Sequence, residues 1–160
     1  MNKLFIDDLT ERLGYDLDVV HVCTQEEAKR KLIEMDMCDQ FPMVCYEYTS
    51  DSGFEADIDQ SSFLNEPFHE GTWILGVNDD QILFVLNLTS HNSTLDIDVF
   101  EVNSEQRGTG LGGNIVAVVE SEAEAYFDTI EVSPFDTAAI KFWEHMEYEE
   151  GGRGHWIKEL

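Results

Sequence analysis

The chain has 160 residues, enough for one domain with a substantial core, and its hydrophobic fraction of 42% excludes a disordered chain. Its 34 acidic residues against 9 basic ones give a net charge of −25. Such a surface repels nucleic-acid phosphates and anionic membranes, so we expect neither as a partner and expect cationic partners to be favoured.

The acidity itself allows several interpretations. It is explained most simply by solubility or by adaptation to a salty cytoplasm. Two more specific explanations are a polycationic substrate and mimicry of DNA by a carboxylate-covered protein. The three cysteines form no C-x-x-C pair, the N-terminus lacks a signal-peptide pattern, and no run of eighteen apolar residues occurs. We therefore expect a cytoplasmic protein without disulfides.

The first 71 residues show a weaker pattern than the rest. Thr24 and Glu27 form a capping box at the start of a helix. The segment 49–71 carries little periodic signal. The predicted elements are a helix with the apolar stripe Phe5, Leu9 and Leu13, a strand over Leu17–Cys23, the helix after Thr24, and a strand over Pro42–Tyr48.

From residue 72 onward the pattern is clearer and predicts antiparallel strands followed by alternating helices and strands. The alternation of Leu95, Ile97 and Val99 with acidic residues indicates a strand with one buried face. The predicted elements are a hairpin of 72–77 and 81–88 around Asn78-Asp79-Asp80, a strand over Thr94–Val102, a helix from Leu111, a strand over Phe127–Val132, a helix capped by Asp136, and two short strands within Glu149–Leu160 around Gly151-Gly152.

A glycine-rich turn lies between the Thr94–Val102 strand and the helix that follows. It carries Arg107 and Gly108, Gly110, Gly112 and Gly113. Free backbone N–H groups at a helix N-terminus bind anions, and glycine lets the backbone come close to a phosphate. The spacing matches neither the Walker A motif nor the dinucleotide fingerprint, so from these residues alone a phosphate-binding turn and an ordinary tight turn are both open.

Two motifs in this half resemble a known family. Arg107-Gly108-Thr109-Gly110-Leu111-Gly112 resembles the R-x-x-G-x-G acetyl-CoA motif of the GCN5-related N-acetyltransferase (GNAT) superfamily. Ala139–Tyr148 is similar to its second motif, usually A-x-x-F-Y-E-K-x-G-F. The resemblance is firm over residues 72–160 and loose over 1–71. It implies one α/β domain over 1–160, in which a mixed, mostly antiparallel sheet with a splayed central pair is flanked by helices.

The resemblance also implies a cofactor and an activity. Acetyl-CoA would donate an acetyl group to a primary amine, of a small molecule or a protein, by direct attack in a ternary complex. Family members are often dimers, so a homodimer is compatible with it, although no stretch of the sequence defines an interface. The residues implied to contact acetyl-CoA are Val102, Arg107, Gly108, Thr109, Gly110, Leu111, Gly112 and Phe142.

Proton transfer has several candidate residues. Asp96, six residues before Val102, has the spacing of the glutamate base in histone acetyltransferases of this superfamily, and Glu101 is a second candidate. On an alternating strand of a chain with 34 acidic residues, a solvent-facing carboxylate is the simpler interpretation of Asp96. Many family members use only an ordered water chain. Trp143 stands where the family has the tyrosine that protonates the CoA thiolate, and an indole cannot deliver that proton. Tyr148 is then a candidate acid, and Tyr126 is a second one.

These departures keep a second function open. A catalytically weak or inactive CoA-binding or acidic interaction protein, including a DNA mimic, is the alternative to the enzyme. Glu147 replaces the family's glycine and predicts a different turn there. The histidines, among them His21, His91 and His155, are scattered without ligand spacing, so the sequence predicts no metal site.

Overall fold

The computed structural model of the chain describes residues 1–45 and 71–160. None of the helices in these two ranges is long and apolar enough to cross a membrane. The elements are α1 (Lys3–Leu13), β1 (Val19–Cys23), α2 (Gln25–Glu34), a 3₁₀ helix (Cys38–Gln40), β2 (Thr72–Asn78), β3 (Gln81–His91), β4 (Thr94–Val102), a 3₁₀ helix (Ser104–Gln106), α3 (Leu111–Ala123), β5 (Thr129–Val132), α4 (Thr137–His145), β6 (Glu149–Gly152) and β7 (His155–Glu159).

The described strands form one seven-stranded sheet in the order β1-β2-β3-β4-β5-β7-β6. All neighbouring strands are antiparallel except β4 and β5, which run parallel. The predicted α/β architecture, with a mostly antiparallel sheet and flanking helices, is confirmed. The hairpin of β2 and β3 is also confirmed, and Asp79 and Asp80 make its turn with φ of 49° and 58°.

Helices cover both faces of the sheet. The predicted stripe Phe5, Leu9 and Leu13 of α1 is buried in one core with Leu95 and other residues of the sheet and α3. The α2 helix covers the opposite face, where Leu32 packs in a second core. The predicted capping box is present, since Thr24 and Glu27 hold each other's backbone N–H groups at the start of α2. Apolar stripes thus decide which face each helix buries.

Two local predictions are wrong. Residues 42–45 form a turn rather than a strand, because the N–H groups of Met43 and Val44 point at the carboxylate of Glu101 instead of a neighbouring strand. The rest of that predicted strand, and nearly all of the segment 49–71, lie outside the described residues. The last hairpin turns two residues later than predicted, at Arg153-Gly154 with φ of 57° and 81°. Glu147 has φ of 68°, the left-handed conformation that favours glycine.

The central pair of strands separates halfway along β4. The β4 and β5 strands pair only from Thr94 with Thr129 to Ile97 with Val132. Beyond Ile97, β4 continues to Val102 while the chain after β5 turns away into α4. The edge of β4 from Asp98 to Val102, about 16 Å long at the usual rise per residue, therefore faces a gap instead of a strand. The predicted splayed central pair is confirmed.

Candidate active site

A cleft of about 690 Å³ opens where β4 and β5 separate. One wall is the unpaired end of β4, and another is the turn leading into α3. The α4 helix closes the far side, and Pro42 and Met43 form a rim. The residues that line the cleft include Phe100, Glu101, Val102, Arg107, Gly108, Gly110, Gly112, Phe142 and Trp143.

Aromatic rings form the floor of the cleft. The ring of Phe142 lies 5.0 Å from that of Trp143, and Phe100 lies 6.1 Å and 6.2 Å from the two. Trp143 is only 6% exposed, so its indole packs in the core beside Phe142. Such a floor accepts an apolar or weakly polar chain and excludes water beneath it.

The N-terminus of α3 forms one end of the cleft. Gly110 occupies the N-cap position with φ of 88°, and as a glycine it has no side chain to cap the helix. The first helical amides, including those of Gly112 and Gly113, have no partner within the helix. A Cβ added to Gly108 or Gly110 would meet no atom within 4 Å, so both backbones border open space. This end can therefore hold an anion against backbone N–H groups.

Two side chains shape this turn. Arg107 donates from Nε to the carbonyl of Val102 at 3.3 Å, and its side chain is 52% exposed, so it adds positive charge at the cleft. Thr109 donates from Oγ1 to the carbonyl of Gln106 at 2.7 Å and accepts the N–H of Leu111 at 3.4 Å. Thr109 and Leu111 hold the turn rather than line the cleft.

Glu101 is buried and connects two parts of the cleft. Its carboxylate accepts the N–H of Met43 at 3.0 Å and of Val44 at 2.7 Å, and it receives Nη2 of Arg107 at 3.1 Å. Burial raises the pKa of Glu101, while these three donors oppose the rise. The carboxylate thus fixes both Arg107 and the turn at 42–45. Its lone pairs are largely occupied by these contacts.

Asp96 lies one residue before Ile97, the last residue of β4 that pairs with β5, and so lies beside the point where these two strands separate. Its side chain points away from Leu95 and Ile97, which are buried under α1 and α3, and so lies on the opposite face of the sheet. Its Oδ2 atom is 2.8 Å from Nδ1 of His91. Burial raises the pKa of Asp96, and the contact with His91 opposes this.

Tyr148 lies beneath the floor of the cleft. Its ring is 4.8 Å from that of Trp143, and the side chain is almost fully buried. Burial, followed by the nearby carboxylate of Glu120, raises the pKa of Tyr148. The phenol is not among the groups that line the cleft.

The structure therefore gathers most of the predicted cofactor residues into one cleft and separates the three catalytic candidates. Glu101 lines the cleft, Asp96 lies on one sheet face beside the point where β4 and β5 separate, and Tyr148 is buried below. Sequence reasoning missed the contact between Glu101 and the turn at Met43 and Val44, which lie 58 and 57 residues away. No local pattern signals a contact over that separation.

The chain resembles known proteins in its structure rather than in its sequence. No protein-family model matches the sequence, and no curated protein matches it either. Among solved structures, PH1933 from Pyrococcus horikoshii OT3 superposes with a TM-score of 0.62 at 16% identity, over 89% of this chain and 99% of that one. A GNAT-family acetyltransferase from Staphylococcus aureus Mu50 gives 0.58 at 17% identity over the same shares.

The chain has the fold of the GNAT acetyltransferases. A GNAT-family acetyltransferase from Elizabethkingia anophelis, solved with acetyl-CoA bound, superposes with a TM-score of 0.51 at 12% identity over 69% of this chain and 95% of that one. These identities establish a shared fold, and function has to be argued from the site.

Proposed function

We propose that the protein is an N-acetyltransferase that transfers an acetyl group from acetyl-CoA to a primary amine. The observation that supports this most directly is the meeting of the unpaired β4 edge with the uncapped N-terminus of α3 and Arg107. The pyrophosphate of CoA would bind Arg107 and the backbone amides of Gly108, Gly110, Gly112 and Gly113. The pantetheine arm would pair with the backbone of β4 in place of the absent strand.

The cleft also favours direct attack over a covalent intermediate. Neither cysteine nor serine is among the described residues that line it. Cys45 is buried, and its contact with Cys38 and its burial raise the pKa of its thiol. A ternary complex, in which the amine approaches past the rim at Met43, therefore fits the residues present. A backbone N–H of β4 would stabilise the oxyanion.

We infer that Asp96 accepts the proton through an ordered water, because its side chain does not itself line the cleft. It adjoins the point where the strands separate and has a histidine beside it. Glu101 is engaged by three donors and acts better as a positioning residue. Tyr148 is shielded from the cleft, so the CoA thiolate would leave without a tyrosine to protonate it, which its low basicity permits.

The acceptor that we propose is cationic. A net charge of −25 attracts amines that carry further positive charges, such as polyamines and lysine-rich peptides.

The alternative, a CoA-binding interaction protein without activity, is favoured by the burial of Trp143 where the family has its tyrosine. Binding of a basic partner protein would then fall steeply with salt, whereas turnover of a small amine would not.

The test measures release of free CoA thiol and the mass of the acceptor after incubation with acetyl-CoA. We expect one acetyl group on a polyamine or basic peptide, and a large loss of turnover with bound cofactor in Asp96→Asn. Cofactor binding without transfer to any amine would favour the interaction protein. Absence of cofactor binding would refute both.

A further inference from the structure

Four metal-binding side chains meet on the face of the sheet opposite α1 and α3. His91 ends β3, Asp96 lies on β4, Glu131 on β5, and His155 begins β7. Single ligand atoms of His91, Asp96 and Glu131 all lie within 4.8 Å of one another. None of the four lines the cleft described above.

The contacts within this cluster orient its donor atoms. Nδ1 of His91 lies 2.8 Å from Oδ2 of Asp96, and Nδ1 of His155 contacts Oε1 of Glu131. Ser133 places its Oγ 3.3 Å from the same nitrogen of His155. The carboxylates of Asp96 and Glu131 are 18% and 22% exposed, so the cluster is open to solvent but partly dehydrated.

The negative charges in the cluster would be stabilised by a bound cation. Asp96 and Glu131 are direct register partners on neighbouring strands, and like charges at such positions are destabilising. Each is paired with a histidine, which carries a charge only when protonated. Asp98, on the same strand, adds further negative charge nearby. A divalent ion would remove this repulsion.

We propose that His91, Asp96 and Glu131 bind one divalent transition-metal ion of the zinc class, with His155 orienting Glu131. In a tetrahedral zinc site neighbouring donors are about 3.4 Å apart, so the three side chains need to close by roughly 1 Å. Rotations of exposed side chains supply such a movement. Three protein ligands leave one position for water, and a histidine bonded to a ligating carboxylate is a usual supporting contact.

The imidazole selects the class of metal. Magnesium and calcium prefer oxygen donors alone, whereas zinc, nickel and copper accept imidazole with carboxylate. The ion would bridge β3, β4 and β5 beside the point where β4 and β5 separate. An ion on Asp96 would also occupy the carboxylate that we propose as the proton acceptor. Metal binding is measured without any transfer reaction. A failure of the metal-site proposal can therefore be distinguished from a failure of the proposed acetyltransferase activity.

The experiment titrates chelator-stripped full-length protein with Zn²⁺ near neutral pH, by calorimetry and by competition with a coloured chelator. Co²⁺ serves as a spectroscopic probe of tetrahedral coordination. The variants are His91→Ala, Glu131→Gln and His155→Ala, with His21→Ala on β1 as the matched loss of a histidine elsewhere. The exposed position of His91 leaves the fold of its variant intact.

We expect one Zn²⁺ per chain in the wild type and in His21→Ala. Binding should weaken more than about 100-fold in His91→Ala and Glu131→Gln, and about 10- to 100-fold in His155→Ala. Absence of zinc binding in the wild type would overturn the proposal. So would binding of several ions that is unchanged in His91→Ala and abolished by salt, because that is the behaviour of a merely acidic surface.

Discussion

Gly110 offers the sharpest test of the anion-binding end of the cleft. It adopts φ of 88° at the N-cap of α3, and a Cβ there would enter open space at the cleft rather than strike the protein. Gly110→Ala therefore costs backbone strain of about 1–2 kcal/mol without a steric clash in the free protein. The new methyl group would also occupy space that a bound pyrophosphate needs.

Gly154 provides a matched control. It lies in the last hairpin turn with φ of 81°, and an added Cβ would again meet no atom within 4 Å. Gly154→Ala should thus suffer a similar loss of stability for the same backbone reason. Its position outside the cleft means that cofactor binding should not change.

The hydrogen bonding of the phosphate at the start of α3 determines how far acetyl-CoA affinity should fall in Gly110→Ala. Loss of one charge-assisted hydrogen bond from a helix amide to a phosphate corresponds to about 1.5–3 kcal/mol. We therefore expect Gly110→Ala to bind acetyl-CoA about 10- to 100-fold more weakly than the wild type, as measured by calorimetry. Urea unfolding of both variants measures the strain. Wild-type affinity in Gly110→Ala, at a stability matching that of Gly154→Ala, would refute this model of the cleft.

Substitutions at three further positions probe the cleft. Arg107→Ala should weaken acetyl-CoA binding by about 10- to 100-fold in calorimetry, and Arg107→Lys by less, since the charge is kept while the fork that reaches Glu101 and Val102 is lost. Burial raises the folded pKa of Glu101, so its contribution to stability is full below the ordinary carboxyl pKa and declines as the pH rises above it. Glu101→Gln should remove this decline. As the pH rises from about 4 to about 7, the free energy of unfolding in urea should therefore change in favour of the variant relative to the wild type. Trp143→Tyr should raise kcat by restoring a phenol at the floor, at a stability cost of about 1–2 kcal/mol from the smaller ring.

Each of these has a contradicting result. Unchanged affinity in Arg107→Ala would place the anion elsewhere. A difference in unfolding free energy between wild type and Glu101→Gln that is constant with pH would mean that Glu101 keeps its ordinary pKa. Turnover in Trp143→Tyr no faster than the wild type would mean that departure of the thiolate does not limit the reaction.

Much of the fold could be predicted because its signals are local. The alternation of Leu95 and Ile97 with acidic residues defined β4 to the residue, and the stripe of α1 identified its buried face. The glycines after Arg107 located the start of α3. These patterns depend on nearest neighbours along the chain, which a sequence displays directly.

The parts that escaped prediction depend on contacts between distant segments. The stretch 42–45 has the composition of a strand, yet the carboxylate of Glu101 captures its N–H groups and turns it. The cluster of His91, Asp96 and Glu131 comes from three strands, so it has no linear spacing to recognise. Tyr148 sits in the second motif, and only packing against Trp143 reveals that it lies below the cleft.

The most direct test of acetyl-CoA binding in this cleft is an amide NMR titration of the ¹⁵N-labelled protein. We expect saturable shifts in the amides of Gly108, Gly110, Gly112 and Gly113 and along Asp98–Val102, the two surfaces that meet at the cleft. Amides of β1 and α2, which lie away from it, should stay in place. Saturable shifts confined to other regions, or none at all, would contradict the proposed cofactor site.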